Sequence, residues 1–92
     1  MSSLGEPRKR VIPLAMLKDG ETGIVVSVKS GYGHGAGWGF KKRLMDMGIT
    51  PGTRVTVVKS APFHGPMEIL VRGYRLAIGG GMAERILVEV EE

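Results

Sequence analysis

The residues best suited to ligate a metal ion are two histidines, His34 and His64, and no cysteine is present to join them. A metal centre wants three or four converging donors, and neither an H-x3-H pair nor a histidine–carboxylate cluster is visible. Nucleophilic catalysis is served no better. There is no thiolate and no Ser/His/Asp grouping, and Glu89, Glu91 and Glu92 belong to a terminal strand and tail rather than to a pocket. The alternating glycines Gly31, Gly33, Gly35, Gly37 and Gly39 invite comparison with a phosphate cradle. A Walker A loop, however, ends in Gly-Lys-Ser/Thr, and a dinucleotide fingerprint is spaced G-x-G-x-x-G before a helix. The sequence therefore predicts no catalytic residue, no metal site and no cofactor. Binding is the chemistry left to explain.

Three consecutive cations, Lys41, Lys42 and Arg43, follow directly on the glycine run with its aromatic side chains Tyr32 and Trp38. Cations beside an aromatic anchor combine steering charge with a hot-spot side chain, so these five residues form the candidate partner-binding set. The plainer reading of such a run is a solvated helix face. Phosphate recognition is a third, but stacking on bases would want aromatics interleaved with the cations. Phe40 reads as core, while Phe63 and Tyr74 lie away from the triplet. Nucleic acid is not the expected partner, although a small basic nucleic-acid-binding barrel remains the rival reading.

The elements that must position these residues fit one domain of 92 residues, 42% apolar and 24% charged. The formal charge of +4 owes much to Arg8, Lys9 and Arg10, for ten Lys/Arg and eight Asp/Glu follow residue 10. No apolar stretch nears the ~20 residues that span a bilayer. "MSSLGEPRKR" lacks the apolar core of a signal peptide. A cytoplasmic protein held together by packing alone is expected.

Residues 1–10 read as a flexible basic tail and 11–92 as the folded domain. "VIPLAMLKDGE" reads as a short helix, with Pro13 in its first turn and Gly20 at its end. "TGIVVSVKS" is a strand in which Ile24, Val26 and Val28 alternate with Val25, Ser27 and Lys29. The glycine run forms a mobile loop or floppy hairpin tip. Phe40, Leu44 and Met47 then make one apolar stripe on a two-turn helix whose exposed side carries the basic triplet. Gly48 suits a left-handed helix end, and Pro51-Gly52 a type II turn. "RVTVVKS", "MEILVRG", "YRLAIG" and "ILVEVEE" supply four more strands, with a single helical turn at "GGMAER". In "RGYRL" the tyrosine ring packs and the Arg75 stem covers apolar surface. The expectation is a mainly β fold: a small barrel of about five strands with a short inserted helix capping one end.

These residues resemble the FeoA family. The pieces that carry the likeness are Arg43-Leu44, Met47-Gly48, Pro51-Gly52, Val55, Ala61-Pro62, Pro66 and Gly73-Tyr74-Arg75-Leu76, across roughly residues 12–90. The alternating glycine loop and "GGGM" at 79–82 depart from the family pattern. The resemblance implies an SH3-like β-barrel without catalytic activity, an accessory module of ferrous iron transport. Its implied partner is FeoB, a membrane transporter with a cytoplasmic GTPase domain, and the chain would reach the membrane only through that partner. A stand-alone metal-responsive module is the other alternative. Exposed strand edges and the glycine loop could support a weak homo-oligomer without selecting one.

Overall fold

Apolar residues at every second position dictate the architecture. The computed structural model describes residues 9–29, 42–63 and 65–91. Along the chain run β1 (Lys9–Pro13), a 3-10 turn (Leu14–Met16), β2 (Thr22–Val28), a helical turn α1 (42–46) and β3 (Arg54–Ser60). β4 (Met67–Val71), β5 (Tyr74–Ile78), α2 (Gly80–Ala83) and β6 (Ile86–Glu91) follow. Six strands pair antiparallel in the order β1-β6-β2-β3-β4-β5. Val55 and Val57, Met67, Ile69 and Val71, and Ile86 and Val88 all point inward, as the two-residue strand period requires. Leu14 and Leu17 from the 3-10 turn, Leu44 and Ile49 from the α1 region, and Ala83 of α2 complete one core. Each fully buried Leu or Ile contributes about 1.5–3 kcal/mol.

The mainly β fold is the one expected, and the structure adds three particulars. Among the described residues the sheet has six strands, because Lys9 and Arg10 are no tail but the start of β1. They pair with Glu91 and Val90 of β6, a backbone ladder that needs no apolar alternation. The barrel is open: β1 and β5 are its edges, with no pairing between them among the described residues. Alternation left the inward face of β2 open, and the structure selects Val25, 1% exposed, over Val26, 36% exposed. A register shift between Val25 and Ser27 makes the strand bend, and beyond it Val28 packs on the core. A second shift between Val57 and Lys59 bends β3 similarly.

The turns follow the glycines. Gly48 and Gly52 have φ of 85° and 92°, and Arg72-Gly73 joins β4 to β5 with φ of 50° and 88°. Two consecutive left-handed residues make the hairpin turn whose twist matches the strands it joins.

Candidate partner-docking surface

The candidate surface is built on residues 42–53. Leu44 is fully buried and Met47 packs on the core, while Lys42, Arg43, Met45 and Asp46 are exposed. The helix ends in a Schellman motif: the Ile49 N–H donates to the Leu44 carbonyl at 2.8 Å and the Gly48 N–H to Met45 at 2.9 Å. Leu44 and Ile49, joined by that bond, are both buried. A β-carbon at Gly48 would stand 2.9 Å from the Tyr74 hydroxyl and 3.3 Å from Arg72 Cδ, so glycine serves here through conformation and space together.

Side chains distant in sequence bind this helix end. Arg72 Nε donates to the Gly48 carbonyl at 3.1 Å and Tyr74 to the Met47 carbonyl at 2.6 Å. Arg72 thus sets a cation against the negative end of the helix. Thr53, 6% exposed, accepts from Arg72 Nη2 at 3.3 Å and from the Thr50 N–H at 3.3 Å. The turn is sewn to β2 by Val25 N–H to Thr53 O at 2.8 Å and Gly52 N–H to Val25 O at 2.7 Å. The helix end is therefore held from two sides.

Between β2 and α1 lies a groove of about 250 Å³ lined by Val26, Ser27, Val28, Leu44, Met45, Ile49 and Pro51. Met45 is 61% exposed at its wall. An apolar groove beside exposed cations is chemistry suited to a protein partner: burial supplies affinity and charge supplies steering.

Of the predicted partner-binding residues, Lys42 and Arg43 are exposed on α1. Tyr32, Trp38 and Lys41 lie outside the described residues, as do Phe40 and both histidines. Among the described residues no group of three His, Cys, Asp or Glu side chains could hold a metal ion. Sequence reasoning missed Met45 and Val26, which fall off the stripe that marks the core. It also missed Arg72, whose only signal was its place before Gly73. Tyr74 departs from expectation too: it is 42% exposed and is held by its hydroxyl. The Arg75 side chain is 67% exposed, with Nη1 3.5 Å from Glu68 Oε2, and lines an apolar groove with Pro62, Pro66 and Leu76.

A family model described as the FeoA domain matches residues 12–90. A Methanocaldococcus jannaschii protein carrying the name Fe(2+) transport protein A is 39% identical over 80 residues, covering 87% of this chain and 88% of its own. In Porphyromonas gingivalis, a fusion of Fe(2+) transport protein A with the Fe(2+) transporter FeoB is 31% identical over 77 residues. That match covers 84% of this chain and 8% of the fusion. Among solved structures, a FeoA described as an iron uptake regulatory protein superposes with a TM-score of 0.73 at 39% identity, covering 86% of this chain and 96% of the other. Stenotrophomonas maltophilia FeoA, solved with zinc and described as a prokaryotic SH3 domain protein, superposes with a TM-score of 0.70 at 26% identity. There the shares covered are 84% and 88%.

Proposed function

The chain belongs to the FeoA domain family, and from that membership we propose that it serves ferrous iron transport by docking on the cytoplasmic, GTPase-containing part of a FeoB-type transporter. It acts by binding, without catalysis of its own. The observation that carries the reading is the exposed Met45, beside Lys42 and Arg43, on a helix end locked by Arg72 and Tyr74. A surface fixed before contact loses less conformational freedom on binding. The Porphyromonas gingivalis fusion supports the pairing, since there the two proteins share one polypeptide.

Among the described residues no helix is long and apolar enough to cross a membrane, which accords with contact made through the partner. Modulation of the transporter requires that the docked chain favour one state of the GTPase-containing part over another.

The test is titration of the purified chain into the purified cytoplasmic portion of a FeoB-type transporter, followed by calorimetry, with GTP turnover measured in parallel. Met45→Glu should weaken binding by about tenfold or more, as loss of an interface anchor does. Lys42→Ala with Arg43→Ala should mainly slow association and flatten its salt dependence. Unchanged binding by folded Met45→Glu would remove this surface from the reading, and no binding by the wild type would remove the partner.

A further inference from the structure

The two edges of the sheet are guarded unequally. β1 presents Lys9, Arg10 and Pro13, charges and a residue without an N–H, which are the usual devices against pairing with another chain. β5, Tyr-Arg-Leu-Ala-Ile, has one charge, no proline and an unbroken register with β4. A two-residue turn joins these strands, so Val71–Tyr74 is the hydrogen-bonded pair next to it. Alternation makes Ile69–Leu76 and Met67–Ile78 bonded pairs as well. The N–H and C=O groups of Arg75 and Ala77 then face outward, where no hydrogen bond among the described residues meets them. Beside this edge runs a groove of about 600 Å³ whose lining includes Pro62, Pro66, Met67, Glu68, Leu76 and Ala77.

We propose that the β5 edge pairs with β5 of a second copy, antiparallel about a two-fold axis through Leu76. In that register each Arg75 exchanges both backbone hydrogen bonds with Ala77 of the other copy. Charge selects it over its neighbours. An axis at Arg75 would set two arginines directly opposite each other, a destabilising pair. An axis at Ala77 would set Arg75 against Gly79, which has no β4 partner and so no acid in its row.

An axis at Leu76 lays Arg75 over the small Ala77 of the other copy, and Ala77 shares its row and face with Glu68. Strands are about 4.8 Å apart, so an extended arginine spans Ala77 to reach that Glu68. Its aliphatic stem lies along the apolar groove, as long cationic side chains do on such surfaces. Within one chain Arg75 Nη1 is already 3.5 Å from Glu68 Oε2. Two copies therefore build a ring in which two arginines alternate with two glutamates. A single strand pairing buries little area, so association is weak and depends on concentration.

Sedimentation of the full chain at up to about 1 mM, the loading that a weak interface calls for, tests the pairing. The wild type should move from one chain toward two as concentration rises. Ala77→Pro removes an outward N–H and leaves the β4–β5 ladder its bonds, so it should stay a single chain. Arg75→Glu should also stay single, and adding Glu68→Arg should restore the dimer. If circular dichroism shows that Ala77→Pro does not fold, the charge reversal and its rescue decide. A wild type that remains a single chain, a dimer that either folded variant retains, or a double variant that stays single overturns the proposal.

Discussion

The Tyr74 hydroxyl donates a 2.6 Å hydrogen bond to the Met47 carbonyl, across 27 residues of sequence. Arg72, two residues earlier, holds the next carbonyl, that of Gly48. The β4–β5 hairpin thus acts as a clasp on the C-terminal end of α1, where the last carbonyls of a helix lack intrahelical partners. The stiffness of the proposed docking surface comes from this clasp.

Tyr74→Phe keeps the ring and removes the donor. The site is half exposed, so water can replace the lost bond in part, and the cost should be about 0.5–1.5 kcal/mol. At this chain length each kcal/mol lowers Tm by about 4–8 °C. A thermal melt followed by circular dichroism checks it, and an unchanged Tm would mean that the clasp adds nothing to stability.

Gly48→Ala and Gly52→Ala should differ, although both glycines have positive φ. Each substitution carries the left-handed penalty, about 1–2 kcal/mol. At Gly52 the new methyl meets nothing within 4 Å. At Gly48 it meets the Tyr74 hydroxyl at 2.9 Å, so the clasp must also open. Urea denaturation should rank Gly48→Ala clearly below Gly52→Ala, and equal midpoints would count against the clasp as the reason.

Leu44 and Met45 are neighbours with opposite duties. Leu44→Ala should cost about 2–5 kcal/mol, because the side chain is fully buried and leaves a cavity. Met45→Ala should lie within about 0.5 kcal/mol of the wild type, as exposed substitutions do, yet weaken docking on the transporter fragment. Stability and binding measured on the same two variants separate these roles.

Gly23 lies in β2 without needing a positive φ, and its constraint is space. A β-carbon there would approach Val88 Cγ2 to 2.8 Å and Val88 Cβ to 2.9 Å. Val88 is fully buried and stiff at its first torsion. Gly23→Ala should therefore destabilise by about 1–3 kcal/mol through overpacking. Pairing it with Val88→Ala should recover part of the loss in a double-mutant cycle.

Much of this molecule was legible in its sequence because the signals are local. Alternating Val and Ile set the inward faces of β3, β4 and β6, and sterics reserved Gly48, Gly52 and Gly73 for turns. Three-residue and four-residue spacing put Leu44 and Met47 inside and left Lys42 and Arg43 outside. Local patterns could not show that Lys9 and Arg10 form a strand, since the partner that makes them one is β6, about eighty residues on. The bend that turns Val25 inward depends on how β2 meets both of its neighbours, and no residue type in β2 announces it.

The clasp is the clearest case. Arg72 read as the end of a strand and Tyr74 as the start of the next; the structure puts Arg72 in the turn between them and Tyr74 at the start of β5. Their donors meet the carbonyls of Met47 and Gly48 only once β4, β3 and β2 have paired and Leu44 has entered the core. Sequence by itself determined β2 to β6 as strands, the glycine turns between them and the charged face of α1, because each rests on the conformational preference of a few adjacent residues. Tertiary structure alone decided which backbone groups were left for distant side chains to satisfy and which edge was left open, because both depend on contacts that exist only after the chain has closed on itself.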